Sequence, residues 1–592
     1  MTSLTKKLSI LVGKAFIKEG LPAELGAVRV SDRPDLAQFQ CNGAMAAAKQ
    51  ARKPPREIAE TITETLKTLP EIAKADIAGP GFINIHLTDE YLASHLTEIS
   101  QDKRCGIEKG VKEETVIVDY GGMNVAKAMH VGHLRPTIIG DCIKKIMHFA
   151  GYKTLGDIHM GDWGLQMGQI ISEFELRSPD WPYFDPELEG PYPETPPFSY
   201  EDLERIYPEA SAACKEDPKR LELARKATAE LQEGRPGYRA LWQHFMTLSI
   251  ADIKANLGPL NVGFEIWKGE SDVNDLVPEI TEDLESRKIS EKSDGAWIVR
   301  VDKPEDKKEM PPLIFLKSDG AMTYGTSDLA TIYDRTKTYQ DLGKIIYVVD
   351  KRQSLHFEQV FRAAEQAGYV DSIELHHVGN GTVNGSDGKP FKTRDGGVMK
   401  FSDMISAAIE KAQMRLDEAE LAQDIDETER QNIAEKVAVA ALKFTELSNQ
   451  PHVDYIFDLD RMISFEGKTG PYLLYQAVRI KSLLRKAEIN INDTLIETPE
   501  DLAIGDAERP LLLLLTELPD HFTGTLKNYS PLILCDYAFK LAQEFSSFYG
   551  THHILSEQNE KLRNSRLFLC QQTYRQLELI LNLLGINVPN RM

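Results

Sequence analysis

Val116-Ile-Val-Asp-Tyr120-Gly121-Gly122, followed by His130-Val-Gly-His133-Leu-Arg-Pro-Thr-Ile138-Ile139-Gly-Asp-Cys142-Ile143, decides the fold. The first five residues predict a short strand that the two glycines end. Leu134, Ile138, Ile139, Cys142, Ile143 and Ile146 then recur at helical spacing as far as Gly151. Strand, glycine-containing loop and helix in this order open a doubly wound parallel sheet. His130-Val-Gly-His133 sits between strand and helix, where backbone N–H groups and the helix dipole favour an anion. Gly132 allows close approach of a nucleotide, and the imidazoles can donate to phosphoryl oxygens. The competing reading is two helix-capping or metal-ligating histidines. The position after a strand favours phosphate.

Further strands are expected at Ala296-Trp-Ile-Val-Arg-Val301, Leu313-Ile-Phe-Leu316 and Lys344-Ile-Ile-Tyr-Val-Val349. The proline-crowded stretch from Ser178 to Pro197 reads as a surface insertion rather than core. Upstream, helical patterns (Leu4, Leu8, Leu11, Phe16; Ile58, Ile62, Leu66) and the alternating strand Phe82-Ile-Asn-Ile-His-Leu87 make a first α+β unit. From Met404 onward the pattern is helical. Stripes run through Ile405, Ala408, Ile409, Ala412 and Leu416, and through Ile433, Val437, Ala440, Ala441 and Phe444. Helices are expected at Tyr472 to Lys486, Pro510 to Leu526 with a break at Pro519, Leu532 to Tyr549 and Leu562 to Leu584. The expected organisation is an α+β domain over 1–110, a doubly wound α/β domain over 111–400 with insertions near 175–260 and 270–320, and a helical bundle over 401–592.

At ~150 residues per domain, a chain of 592 residues suggests about four units. Hydrophobic residues at 42% and charged residues at 27% exclude a disordered or fibrous chain. The longest apolar run, Val437 to Leu442, is far short of the ~20 residues of a membrane span. Lys14 interrupts the N-terminal apolar stretch, which reads as the first amphipathic helix of a cytoplasmic protein. The six cysteines form no CxxC pair, so no zinc site or redox motif is expected. A net charge of −22 argues against indiscriminate nucleic-acid binding but leaves room for a specific partner met by local basic patches.

A second cationic loop lies far downstream: Gly385-Ser-Asp-Gly-Lys389-Pro-Phe-Lys392-Thr-Arg394-Asp-Gly-Gly397. Lys389, Lys392 and Arg394 could clamp a leaving pyrophosphate. Standing alone, the loop would read as a solvated basic hairpin; a Walker A loop is excluded by its spacing. Paired with His130-Val-Gly-His133, the catalytic reading is preferred.

The two motifs together resemble the nucleotide-binding motifs of class I aminoacyl-tRNA synthetases. Asn124-Val-Ala-Lys127-Ala-Met-His130-Val-Gly-His133, His159-Met-Gly-Asp162-Trp163-Gly-Leu-Gln166, Gly388-Lys-Pro-Phe-Lys-Thr-Arg-Asp-Gly-Gly397 and Gly79-Pro-Gly-Phe-Ile-Asn84 narrow the resemblance to the bacterial type of the arginyl-tRNA synthetases, as does Phe457 to Lys486. Gly121-Gly122-Met123 stands where that family commonly has a Ser-Ser-Pro-like tripeptide, and Pro390 and Phe391 replace the middle of its second motif.

The resemblance implies a class I Rossmann-like catalytic domain, an N-terminal domain that reads the tRNA D-loop and a C-terminal anticodon-binding bundle. It implies ATP-dependent activation of L-arginine, dependent on bound tRNA, and transfer to the terminal adenosine of tRNA(Arg). His130, His133, Lys127 and Lys392 are the implied catalytic residues, with His130, Gly132, His133, Lys389 and Lys392 holding ATP. A guanidinium needs fixed carboxylates. The family likeness points to Glu270 and Asp328 for this, with Asn124, Tyr324 and Gln353 completing the arginine site. Tyr324 and Asp328 are four apart, so a helix would set them on one face. Trp163 with Gly161-Asp162 is expected to shape the floor. Phe82 and Asn84 are the implied D-loop readers, and Tyr472, Tyr475, Arg479 and Lys481 mark an anticodon helix, with Tyr475 and Arg479 as the bases' contacts. Expected partners are tRNA(Arg), L-arginine and ATP with Mg2+, with no membrane, no protein-bound metal and a monomeric state. Two other classes share single features: a short nucleotidyltransferase that adenylates an acid without tRNA, and an inactive RNA-binding relative. The helical segment after 401 argues against the first, and the joint presence of His130, His133 and Lys392 against the second.

Overall fold

The computed structural model describes residues 3–33, 35–110, 113–318, 320–389, 391, 399–422, 425–489 and 502–592. Pro390, Lys392 and Arg394 of the second motif lie outside the described residues. The chain folds as two compact units: Met1–Gly110, Asp417–Lys436 and Ser464–Met592 form one, Val111–Leu416 and Val437–Ile463 the other. This differs from three consecutive domains. The segments Phe401 to Leu416 and Val437 to Ile463, expected in the bundle, belong to the α/β unit, and the N-terminal residues share a unit with the C-terminal helices.

In the first unit an antiparallel sheet has the order Val28–Val30, Phe39–Cys41, Phe82–Leu87, Ile72–Ala78. The helices Leu4–Lys18, Gly43–Ala51, Pro55–Leu66 and Asp89–Gln101 accompany it. The C-terminal part contains Gly470–Lys486, Arg509–Leu515, Leu518–Asn528, Leu532–Thr551 and Glu560–Leu583. The expected break falls before Pro519, which occupies the first turn of its helix, where a missing N–H costs nothing. Arg575 joins the two ends of the chain by donating to the carbonyls of Ser100 (2.6 Å) and Asp102 (2.9 Å) at the end of Asp89–Gln101. Arg509 donates to Leu87 O at 2.7 Å. These bonds give partners to carbonyls at the end of a helix and of a strand, where regular backbone pairing stops.

The second unit is built on a four-stranded parallel sheet of β1 (Thr115–Tyr120), β2 (Lys153–Asp157), β3 (Leu342–Asp350) and β4 (Glu374–Asn380), in the order β4-β3-β1-β2. All six residues of β1 are buried, as a strand covered on both faces requires. Connection runs outward in both directions from the β1/β3 pair. Ligands of such sheets bind outside the carboxyl ends of the strands where the order reverses. The helix after β1 is Val131–Ala150, closed by Gly151 in the left-handed region. The helix after β3 is Ser354–Gln366.

The first insertion supplies Tyr200–Glu216, Pro218–Gln232 and Pro236–Leu257; the second carries an antiparallel sheet of Ser290–Ser293, Ala296–Val299 and Leu313–Leu316. The stretch from Ser178 to Pro197 is largely exposed, as a surface insertion should be, but its aromatic residues are partly or fully covered. Tyr183 and Phe184 are buried, and Trp181 packs against Phe174, Phe184 and Phe198 with ring centroids 5.2, 6.2 and 5.9 Å away. The aromatic residues among the prolines therefore form a local core. All six cysteines are buried, and none is joined in a disulfide. Among the described residues, no helix is long and apolar enough to cross a membrane.

Candidate active site

His130 is the N-cap of Val131–Ala150, and a reciprocal pair of bonds orders both imidazoles. Nδ1 of His130 accepts from Gly132 N–H, and Nδ1 of His133 accepts from His130 N–H, each at 3.1 Å. The rings lie 4.0 Å apart, tilted by 31°. Burial and the neighbouring Lys127 ammonium push His130 below the ordinary histidine range. Burial, His130 and Lys127 push His133 down to about 3. Both rings are therefore neutral at pH 7, and because each Nδ1 accepts, each proton resides on Nε2. The capping and phosphate readings are compatible: Nδ1 caps the helix while Nε2–H remains a donor.

Gly121 (φ 98°) and Gly122 (φ 63°) carry the chain out of β1 in the left-handed region, which a Ser-Ser-Pro-like sequence would enter only under strain. Ala126 (φ 58°) is held by a 2.8 Å bond from its N–H to Ser249 Oγ, and His159 has φ 34°. Such residues cost about 1–3 kcal/mol each and concentrate at functional sites.

Three extended segments meet beyond the sheet. Asn124 bridges Gly161, and Met160 bridges Gly269, both in parallel. Glu270 N–H donates to Met160 O at 3.1 Å. A Cβ at Gly161 would lie 2.2 Å from Oδ1 of Asn124, so only glycine permits this approach. Asp162 is fully buried and accepts from Ser271 N–H (3.0 Å) and Ser271 Oγ–H (2.6 Å), fixing the residue next to Glu270. Burial raises its carboxyl, against the two Ser271 bonds. Trp163 is buried, with the Arg239 guanidinium 4.4 Å above its ring and Trp242 edge-on at 5.4 Å, so it is a structural element.

Glu270 is pushed up to about 7 by burial first, then by the Asp162 and Asp328 carboxylates, against the pull of His159. Asp328 lies on Tyr324–Thr338 and receives His356 Nε2 at 2.5 Å from Ser354–Gln366. Tyr324 opens the same helix but is 77% exposed. Gln353 ends the single turn Lys351–Gln353 after β3 and is exposed. The carboxylates thus stand where a cation would relieve their mutual repulsion. Beneath them, fully buried Arg335 pairs with Asp119 at 2.5 Å and Asp157 at 2.7 Å, at the ends of β1 and β2, and donates to Tyr347 OH at 3.1 Å.

The second motif begins at Val383–Asn384, which pairs with Tyr455–Ile456. Lys389 is exposed, and its N–H donates to Asp387 at 3.1 Å. Phe391 packs on Phe457 at 5.0 Å. Downstream, His130 bridges Lys400 in antiparallel fashion, with Val131 N–H donating to Met399 O and Phe401 N–H to Met129 O, each at 3.1 Å. Lys127 half-buries beside the histidines, its carbonyl accepting from Tyr200 OH at 3.3 Å.

In the first unit, Phe82 is half-buried, whereas Asn84 is buried with its amide committed to Gln40 and Asp76, both at 3.1 Å. Its amide therefore has little left to offer a base. Arg479 stacks 4.2 Å from Tyr549, Tyr472 meets Phe539 edge-on at 5.7 Å, and Lys481 donates to Asn590 at 2.8 Å, while Tyr475 is half-buried. Sequence reasoning did not single out His356, Arg335, Asp119 or Asp157. His356 had a usable signal, one turn beyond Gln353; the buried ion pairs had none.

Residues 95–459 match the family model for the catalytic domain of class I tRNA synthetases (R). Residues 2–87 match the arginyl-tRNA synthetase N-terminal domain, and 473–592 the DALR anticodon-binding domain. The chain is 49% identical to an arginine–tRNA ligase of Hyphomonas neptunium and 48% identical to one of Maricaulis maris, in each case over the whole of both chains. Solved arginyl-tRNA synthetases of Plasmodium falciparum (TM-score 0.82, 25% identity) and Thermus thermophilus (TM-score 0.79, 23% identity) superpose over the full length of both chains.

Proposed function

The chain belongs to the class I arginyl-tRNA synthetases, and we propose on that premise that it joins L-arginine to tRNA(Arg) in two steps, with the residues assembled around the β1/β3 ends as its machinery. It is a ligase of the aminoacyl-tRNA class. In the first step an arginine carboxylate oxygen bonds to the α-phosphorus of ATP, and the bridging P–O bond to the β-phosphate breaks. Pyrophosphate leaves with that electron pair. In the second step the terminal ribose 2′-hydroxyl attacks the arginyl carbonyl, its proton is lost, and AMP departs.

Nε2–H of His130 and of His133 donate to phosphoryl oxygens as charge spreads, assisted by the Lys127, Lys389 and Lys392 ammonium groups. Positioning and electrostatics supply the rate in such transfers, since the protein makes no covalent bond. Mg2+ enters with the triphosphate as part of the substrate. Glu270 and Asp328 receive the guanidinium, with Asn124, Tyr324 and Gln353 around the rest of arginine. Lysine leaves one carboxylate without its bidentate partner, and a polar site left unfilled discriminates by about 10⁴ or more. Phe82 and the Tyr475–Arg479 helix face the D-loop and anticodon, and the protein acts as a cytoplasmic monomer.

The observation that carries this reading is the pairing of two Nε2–H donors at a helix N-terminus with a raised carboxyl, Glu270, beside Asp328. An ATP–pyrophosphate exchange screen over all amino acids, with and without tRNA(Arg), tests it. Exchange is expected with arginine alone among amino acids, and only once tRNA is supplied. Exchange with another amino acid would overturn the substrate, and full exchange without tRNA would remove the tRNA requirement.

A further inference from the structure

The two halves of the nucleotide site are far apart in sequence, and the segment between Gln450 and Phe457 connects them. Arg135, one helical turn beyond His130, is fully buried and donates to Gln450 O at 2.9 Å and Val453 O at 2.6 Å. Its guanidinium also faces Glu446 at 3.6 Å and lies 5.2 Å from the Tyr455 ring, whose hydroxyl donates to Glu446 at 2.5 Å. The helix that starts at the histidines thereby grips this segment by its carbonyls. The other side of the segment meets the strand leading into the second motif: Gly381 N–H donates to Pro451 O, Tyr455 N–H to Thr382 O and Phe457 N–H to Asn384 O, at 2.8, 3.2 and 2.8 Å.

At the centre of this bridge is one carboxylate. Oδ1 of Asp454 accepts from Thr382 N–H and from Lys351 Nζ, each at 2.8 Å. Lys351 also donates to His452 O at 3.2 Å. Lys351 opens the turn that ends at Gln353, on the arginine side; Thr382 precedes the strand that leads to Lys389, on the phosphate side. A Cβ at Gly381 would stand 2.6 Å from Oδ1 of Asp454, so a bare backbone is needed there. We propose that Asp454 is a positioning residue for arginine activation, holding the approach to the second motif in register with the turn at the end of β3. It is not among the residues assigned to arginine or to ATP. It acts by fixing the distance between the elements that present Gln353 and Lys389, and a displacement of about 1 Å in such a site can cost about 100-fold in rate.

This inference rests on the reading of the second motif as the carrier of transition-state charge. The Asp454 side chain is 43% exposed, so its replacement empties no core. The experiment compares Asp454→Ala, Asp454→Asn and Lys351→Met in the full chain, with Lys392→Ala as a control. ATP–pyrophosphate exchange is measured in the presence of tRNA(Arg), with thermal unfolding alongside. Asp454→Ala is expected to lower kcat at least tenfold, with arginine KM within twofold and an unchanged Tm. Asp454→Asn keeps an acceptor for Thr382 N–H and is expected to recover most of that loss; Lys351→Met is expected to reproduce part of it. An unchanged kcat in Asp454→Ala, or equal losses in the Ala and Asn variants, overturns the positioning role. A lowered Tm with proportionate changes in kcat and arginine KM overturns it too, as mere destabilisation. If Lys392→Ala itself leaves kcat unchanged, the reading of the second motif falls, and the inference with it. If Lys392→Ala is slow and Asp454→Ala is not, only the inference falls.

Discussion

Nε2 of His356 stands 2.5 Å from Oδ2 of Asp328, joining the helix after β3 to the helix that carries one of the two candidate guanidinium carboxylates. The bond fixes one carboxylate oxygen, and among the described residues no hydrogen bond to the other competes with a guanidinium. Hydrogen bonds to charged groups contribute about 1.5–3 kcal/mol, so His356→Ala is expected to raise arginine KM by about tenfold or more, with ATP KM little changed. Steady-state aminoacylation checks this. Equal increases for both substrates would show that His356 acts on the fold as a whole.

Arginine binding should depend on pH through Glu270. Its carboxyl stands at about 7 in the free protein and must be ionised to pair with the guanidinium. Affinity is therefore expected to rise with pH up to about 7 and to fall about tenfold per unit below it, with a proton released on binding. Calorimetry in buffers of different ionisation enthalpy reads that proton directly. Glu270→Gln should abolish the release and weaken binding by about 100-fold. The same raised carboxyl binds a proton more tightly folded than unfolded, so its share of stability declines as pH rises from the ordinary glutamate range to about 7. A pH-independent affinity for arginine would sink this account.

His133 separates capping from catalysis. Asparagine places an acceptor near the Nδ1 position but has no donor at Nε2, whereas glutamine places a donor near Nε2. His133→Asn is expected to lower the activation rate by about 100-fold or more, the usual cost of removing one donor to a developing charge, and His133→Gln by less. Rapid-quench measurement of adenylate formation decides between them. The reverse order would mean that capping, not donation, is what His133 supplies.

Arg335→Leu should destabilise the α/β unit by about 3–5 kcal/mol, because Asp119 and Asp157 would remain buried without their counter-ion. A second change, Asp157→Asn, is expected to restore part of the loss, since it removes one of the stranded charges. Thermal unfolding of the single and double variants tests this. Additive losses in the double variant would contradict the ion-pair explanation.

Much of this was legible in local order. The alternation of Phe82–Leu87, the apolar run of β1 and the recurrence of Leu134, Ile138 and Cys142 each report a surface that must be buried, and each forms the expected element. Placement of His130 and His133 at the helix start followed from neighbours within a few residues. Their tautomers did not, because those depend on which ring nitrogen meets a main-chain N–H. The aromatic cluster at Trp181, Tyr183 and Phe184 went unseen for a related reason: the prolines around it predict an exposed, irregular backbone, but say nothing of whether the rings find one another.

Periodicity and punctuation in the chain are short-range properties, and they were enough to specify β1, β3 and the helix between β1 and β2, but not β2 or β4, and not that Ala296–Val299 and Leu313–Leu316 pair in a sheet of their own. The pairing of Arg135 with Gln450 and Val453, the two carboxylates beside Glu270, and the union of Asp102 with Arg575 were settled only by folding. An isolated arginine or glutamate looks like any solvated side chain. Its protonation and its partner are set by desolvation and by charges brought close from distant segments, and neither leaves a trace in local spacing.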